Sequence, residues 1–367
     1  MGYLEWIRAK KVPLAITIFI VWILATIQNM IRFDSRQTDI KKLPQTHRVT
    51  PNRNFLILFY IYPFWFRKVA NKINFYKDCK YKNCNVTFDQ SMLSKSDAVI
   101  FYHVGMKKPP PKLPNQVWIF ASMESPYSTH TAFKNAGFRN KFDWTMTYRH
   151  DSEGFIPYGF VKRRNRELEK DYKYIYQRKT KEVAWVVSHC KTISKREKYV
   201  QDLARYIGVD TYGKCGLPCK TNSVDNCKKI LSKSYKFYLS FENSLCKDYM
   251  TEKILTIYKD NMNFIPVIRG APNAKDYLPK NTFVFASDFL SPKELAEYLK
   301  RIGQNETLYT SILKEKDKFY FQSNSYFESG MCNICERLNT NYTQYRTNYL
   351  EQWLWNEQCT EPTDIDV

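Results

Sequence analysis

The 367-residue chain has no Gly-x-Gly-x-x-Gly run and no Gly-x-x-x-x-Gly-Lys run, and only 11 glycines from which either could be built. The usual dinucleotide fingerprint and the phosphate loop of ATP-binding proteins are thereby excluded. No zinc-finger or RNA-binding signature is present. Its 57 Lys and Arg are spread along the chain rather than gathered in a basic tail. The formal charge of +21 therefore describes a broadly basic surface. It suits an anionic partner such as a phosphate-bearing small molecule or a membrane surface, and no nucleic-acid motif accompanies it. No repeat of fixed period is visible.

What is present begins with an uncharged stretch, Val12 to Ile31, preceded by Arg8, Lys10 and Lys11. A helix needs about 20 apolar residues to cross a bilayer, and basic residues before it keep the N-terminus cytosolic. No small-x-small cleavage site follows, so the expectation is an uncleaved signal-anchor with the remainder translocated. In that compartment the ten cysteines (79, 84, 190, 215, 219, 227, 246, 332, 335 and 359) are expected as disulfides rather than metal ligands. Three sequons, at Asn85, Asn305 and Asn341, agree with it. Residues 1–11 are then a cytosolic tail, 12–31 the membrane span and 32–53 a stem.

Beyond the stem, apolar runs predict strands at Asn54–Ile61, Asp97–His103 and Gln116–Ala121. After a charged break near Val161–Lys181, more follow at Glu182–Ser188, Val209–Tyr212, Phe237–Phe241, Phe264–Ile268 and Thr282–Phe285. Helical patterns lie between them: Ser194–Ile207, one from Thr251 with Ile254, Leu255, Ile257 and Tyr258 on one face, and one opened by Ser291-Pro-Lys-Glu294. Strands alternating with helices predict parallel sheets covered on both faces. The expected partition is an N-terminal domain over 54–165, a C-terminal domain over 166–358 and a tail over 359–367.

Chemistry-bearing residues gather where strands end. KFYLSFENSLCKDYMTEK, Lys236 to Lys253, reads as strand, polar turn and helix start, the layout that sets a ligand at the carboxyl edge of a parallel sheet. It carries Glu242, Asn243, Tyr249, Thr251, Glu252 and Lys253. Glu124 ends the strand VWIFASME, where a carboxylate can act as a base; by position alone a surface residue in a Pro turn is the favoured reading. His103, after another strand, reads as a packing histidine. Metal-dependent sugar transferases hold a divalent ion with Asp-x-Asp. The single such pair, Asp364-Ile-Asp366, is expected to lie past the folded region. Counter-charge for a bound diphosphate would then fall to cations near helix starts, with Arg196 and Lys253 as candidates.

These residues lie in segments that closely resemble the α1,3-fucosyltransferases (glycosyltransferase family 10). KFYLSFENSLCKDYMTEK is similar to the family's F-Y-L-x-F-E-N-S…D-Y-I-T-E-K. FIPVIRGAPNAKDYLP and FVFASDFLSPKELAEYL resemble the stretches that follow it. Upstream, WIFASMESP, TYRHDSEGFIPYGF and AWVVSHC…KREKYVQDL resemble further family motifs in the right order, from about Phe55 to Trp355.

The resemblance implies an α/β fold of the GT-B kind, two Rossmann-like domains facing a cleft. It implies GDP-fucose as donor, a GlcNAc residue on an N-glycan or glycoprotein as acceptor, and inverting transfer without a required cofactor, a divalent cation (Mn or Mg) being at most stimulatory. Glu124 takes the role of general base. Arg196 and Lys253 neutralise the diphosphate and Glu252 binds ribose. Ser188, Tyr212, Glu242, Asn243 and Tyr249 complete the donor-binding set. The expected location is the Golgi membrane, single-pass type II, with the catalytic part in the lumen. His189 departs from the family's usual Asn, which puts one donor contact in question, and Met250 replaces Ile. The cysteine pattern resembles that of plant and invertebrate enzymes acting on the innermost GlcNAc of N-glycans. It also implies that Cys332 and Cys335 pair with Cys79 and Cys84, leaving the other six open. The competing readings are an enzyme for antennal N-acetyllactosamine or LacdiNAc, and an inactive relative that only binds glycan or GDP-fucose.

Overall fold

A computed structural model describes residues 53–67, 75–76, 78–129, 136–260, 262–323, 327–340, 350–356 and 358–365. The expected cytosolic tail, membrane span and nearly all of the stem lie outside them, as does Asn341. Among the described residues no helix is long and apolar enough to cross a membrane.

The apolar runs become two parallel sheets. β1 (Phe55–Ile61), β2 (Cys84–Thr87), β3 (Ala98–Tyr102), β4 (Val117–Ser122), β5 (Trp144–Thr147) and β6 (Gly154–Phe155) form the first, in the order β2-β1-β3-β4-β5-β6. Then come β7 (Phe160–Arg163), β8 (Lys181–Val186), β9 (Val209–Tyr212), β10 (Tyr235–Phe241), β11 (Ile265–Arg269), β12 (Val284–Phe285) and β13 (Phe319–Gln322). The second sheet runs β12-β11-β10-β8-β9, while β13 returns to pair antiparallel with β7. Every neighbouring pair within the two larger sheets is parallel. Central strands such as β3 and β11 are buried at every position, as continuous apolar strands covered on both faces must be.

Counted within itself, each sheet has its second strand on one side of the first and its third on the other. That order reversal opens a crevice at the carboxyl ends of the first and third strands, where open α/β sheets take their ligands. In the second sheet these are β8 and β10. Helix Arg196–Leu203 buries Tyr199, Val200 and Leu203 against the second sheet. Helix Pro292–Gln304 begins as its sequence predicts: the Glu294 amide donates to Ser291 Oγ at 3.3 Å and Pro292 sits in the first turn.

The end of the chain differs from expectation. Helix Glu328–Asn339 falls within the span assigned to the C-terminal domain, yet its Met331, Ile334 and Leu338 enter the core of the first sheet beside Ile57 and Met146. A side chain at Gly154 would meet Met146 Cγ at 2.8 Å and Ile334 at 3.2 Å, so only glycine permits this approach. Cys79–Cys332 and Cys84–Cys335 bind the helix to that sheet. Helix Leu350–Trp355 buries Leu350 and Leu354 on the sheet's other face, with Leu58, Phe101 and Trp118.

The expected tail, 359–367, is not outside the fold over its described residues, 359–365. Cys359 pairs with Cys246, and Asp364 accepts two bonds, 2.7 and 2.6 Å, from the fully buried Arg269. Ile365 joins the second core. A carboxylate in fork geometry meets an enclosed guanidinium with paired charge-assisted bonds, and this one comes from the segment expected to lie past the fold. The remaining bridges are Cys190–Cys215 and Cys219–Cys227, so all ten cysteines pair.

Candidate active site

At the carboxyl end of β10 the strand's buried aromatics give way to Glu242, itself fully buried. Its carboxylate has a built environment. The Thr251 amide and hydroxyl each donate to Oε1 at 2.8 Å, and Lys253 Nζ lies 3.5 Å from Oε2. Thr251 also caps the single turn Glu252–Leu255, its Oγ1 accepting from the Lys253 amide at 3.3 Å and from Lys253 Nζ at 2.9 Å. Lys253 reaches Glu252 Oε1 at 3.1 Å. Gly270 makes room for this, since a side chain there would lie 2.9 Å from Glu242 Cγ.

The charges tune one another. Burial pushes Glu242 above the usual carboxylate range, opposed by Lys253 and the Thr251 bonds. Burial would lower Lys253, but Glu242 and Glu252 hold it above its ordinary value. For Glu252 burial is outweighed by Lys253, leaving it below the usual range with its side chain 55% exposed. The result is a lysine that stays cationic between two carboxylates of opposite bias.

Across the crevice, the loop after β8 is stitched to that after β10. Ser194 donates its hydroxyl to the Glu242 carbonyl at 2.7 Å and its amide to the Asn243 carbonyl at 3.1 Å. Arg269 donates to the Ser194 carbonyl at 2.8 Å. Arg196 is buried and spends Nη1 on the Phe241 carbonyl at 2.6 Å and Nη2 on the His189 carbonyl at 3.1 Å. Its Nε and Asn243 Oδ1 are buried without a hydrogen-bond partner. Ser188 and His189 are exposed at the end of β8.

Glu124 belongs to the first sheet, half-buried just after β4. It nevertheless meets the second: the buried Tyr249 hydroxyl donates to Glu124 Oε2 at 3.4 Å. Beside this contact, Ser125 Oγ and Ser244 Oγ lie 2.9 Å apart, both buried. Further out, Asn273 and Asp248 exchange bonds of 2.7 and 2.9 Å, and the His150 amide donates to Asp248 at 3.3 Å.

The structure thus brings Glu124, Tyr249, Glu242, Glu252, Lys253, Asn243 and Arg196 to the facing edges of the two sheets. Tyr212 stands apart. Its hydroxyl lies 2.8 Å from that of Tyr235, which donates to Asp210 at 2.5 Å. That chain lies beside the cluster of Cys227 and Leu231. Residues not singled out as site residues include Ser194, Arg269, Gly270, Ser125 and Ser244. Thr251 was visible as a polar residue at a helix start, which is the signature of a cap; the others act through distant partners. No group of three or more His, Cys, Asp or Glu able to hold a metal ion occurs among the described residues.

Comparison with known proteins agrees with this architecture. The family described as Fucosyltransferase, N-terminal matches residues 52–159, and Glycosyltransferase family 10 (fucosyltransferase) C-term matches 176–353. Glycoprotein 3-alpha-L-fucosyltransferase A of Drosophila melanogaster is 33% identical over 312 residues, covering 81% of this chain and 59% of that protein. The chain thus matches less than two thirds of the length of this relative. The 4-galactosyl-N-acetylglucosaminide 3-alpha-L-fucosyltransferase 9 of Mus musculus is 34% identical over 287 residues, 75% of this chain and 76% of that one. Among solved structures, an alpha1,3-fucosyltransferase with GDP-fucose superposes with a TM-score of 0.52 over 83% of this chain and 95% of that one, at 17% identity. That last likeness is one of fold. Both halves of the chain and the relatives over most of its length agree, and the chain belongs to glycosyltransferase family 10, the α1,3-fucosyltransferases.

Proposed function

We propose that the protein transfers L-fucose from GDP-fucose to the 3-hydroxyl of a GlcNAc residue with inversion at fucose C1, and that its acceptor is the innermost GlcNAc of N-glycans. In this reading the two sheets are the halves of a GT-B arrangement, with the donor at the edge of the second. The observation that carries it is the contact of Tyr249 with Glu124, which sets a carboxylate of one sheet against the Glu242–Lys253 network of the other.

The acceptor oxygen attacks C1 as the bond from C1 to the phosphate oxygen breaks, and the acceptor proton passes to Glu124. Negative charge grows on the departing GDP, where Lys253 meets it. Glu252, more exposed than its neighbours, suits the ribose hydroxyls. Arg196 is committed to two carbonyls, so it acts on the diphosphate less directly than Lys253, by fixing the loop after β8. Support for the core acceptor is the cysteine framework around the donor edge, Cys190–Cys215, Cys219–Cys227 and Cys246–Cys359, together with the glycoprotein named for the Drosophila relative. The uncharged run Val12–Ile31 would anchor the chain in the Golgi membrane, and the paired cysteines suit an oxidising lumen.

The test is transfer from GDP-fucose to a paired set of acceptors, a glycopeptide with exposed core against N-acetyllactosamine. Preference for the core is expected. Preference for N-acetyllactosamine would replace the acceptor but keep the reaction. GDP binding with no transfer to any GlcNAc acceptor would overturn the reaction as well.

A further inference from the structure

We infer that Tyr249 is a positioning residue for Glu124, its hydroxyl orienting the carboxylate from the opposite sheet. The inference rests on the assignment of Glu124 as base and adds a residue that controls it. Four tyrosines lie within electrostatic reach of that carboxylate: Tyr102 from the end of β3, Tyr148 after β5, Tyr158 between β6 and β7, and Tyr249 from the loop after β10. Beyond Tyr249 lie Glu242 and Glu252 with Lys253; beyond Tyr148 lie Arg149, Asp151 and Asp248.

Of the four phenols, that of Tyr249 is the one bonded to Glu124 among the described residues. The Tyr158 hydroxyl is spent on the Met123 carbonyl at 2.5 Å. Tyr249 is 1% exposed, with Tyr148 packed edge-on against it at 4.9 Å, and its hydroxyl donates to Glu124. Burial raises all four, Tyr102 to about 12 and Tyr249 well above its ordinary value, so Tyr249 remains a protonated donor throughout the working range. A donor held against one oxygen of a carboxylate leaves the other to face the acceptor. The adjoining Ser125–Ser244 pair joins the same two loops, so the contact does not depend on one side chain alone.

The test is Tyr249→Phe, which keeps the ring and its packing and removes the donor. Expected are a roughly tenfold lower kcat carried by the chemical step, with the KM for GDP-fucose little changed and the unfolding midpoint kept. A role in holding the donor, as the resemblance implies for Tyr249, would instead raise that KM and leave kcat nearly intact, and a purely structural role would lower the unfolding midpoint. A double-mutant cycle with Glu124→Asp, whose shorter side chain withdraws from the phenol, guards against a folding defect: Tyr249→Phe should add little in that background. A loss carried by the KM for GDP-fucose, or effects that multiply fully in the cycle, would overturn the inference while a dead Glu124→Gln left the base assignment standing. Substantial transfer by Glu124→Gln would remove both.

Discussion

Lys253→Met should destabilise the protein by an amount that grows with pH. Glu242 is fully buried, and Lys253 is its only ion-pair partner among the described residues, at 3.5 Å. With the ammonium gone, Glu242 will take a proton sooner than stay charged in that pocket. The ordinary carboxyl value is 4.5. Protonation at pH 7 therefore costs at most about 3.4 kcal/mol, from ~1.36 kcal/mol per unit, and at pH 5.5 about 1.4 kcal/mol by the same conversion. These are ceilings, because removing Lys253 also removes its own desolvation.

In the variant the folded state holds a proton that the unfolded chain releases above its ordinary carboxyl value, so stability falls as pH rises through that window. Wild-type Glu242 is already raised by burial, so the deficit opens only above the point where it titrates. Urea unfolding of wild type, Lys253→Met, Glu242→Gln and the double variant at fixed ionic strength reads this directly. The double variant should lose the pH slope and recover most of the stability at pH 7. A deficit equal at pH 5.5 and 7, or a double variant no better than Lys253→Met, would refute the reasoning and leave the Thr251 bonds as sufficient support for the charge.

Glu124→Gln should lower kcat by about 10²–10⁴ with GDP affinity unchanged in calorimetry; equal losses in both would contradict the base assignment. Cys79–Cys332 and Cys84–Cys335 should be non-additive. With separations of 253 and 251, the first bridge formed removes about 5.5 kcal/mol of unfolded-state entropy, and the second, closing a ring of about ten residues, only about 2.7 kcal/mol. Replacing either pair with Ser should thus cost about 3 kcal/mol and replacing both about 8 kcal/mol, read from unfolding midpoints; a double replacement equal to twice one pair would refute this. Asp364→Ala should cost about 3–5 kcal/mol, because it strands the buried Arg269, whereas Asp364→Ala with Arg269→Met should recover part of it in the same assay.

Much of the scaffold was legible because it is locally encoded. β10 declares itself by a run of aromatics, and Ser291-Pro-Lys-Glu294 announces a helix by the chemistry of its cap. Expected strand Thr282–Phe285 shortened to Val284–Phe285, since Thr282 turns its hydroxyl to the Pro279 carbonyl at 2.7 Å. β5 escaped because Trp-Thr-Met-Thr makes no continuous apolar run, and β6 because two residues show no period. Residues 359–365 of the expected tail were misread for a different reason. One apolar residue, Ile365, gives no pattern, and the partner of Asp364 is Arg269, 95 positions away. In the site, Glu242 and Lys253 stood out by type and place. Tyr212 entered the donor set through the resemblance alone. Its side chain engages Tyr235, and no one-dimensional signal carries direction of that kind.

The chain's return to its own beginning bears on how it is made. Ile57, Ile100 and Met146 are covered by Met331 and Ile334, and Leu58 and Phe101 by Leu350 and Leu354. During synthesis the first sheet emerges long before these lids, at ~5–20 residues per second. Its apolar faces must therefore wait on the order of 10–35 s for the helices that close them. Cys79 and Cys84 wait longer, about 13–50 s at the same rate, for Cys332 and Cys335, and Cys190, Cys215, Cys219 and Cys227 emerge in the interval. With the proposed lumenal placement, productive folding depends on delaying oxidation of the earliest thiols until their partners arrive, and yield should respond to chaperone and disulfide-isomerase supply more than to the stability of the finished protein.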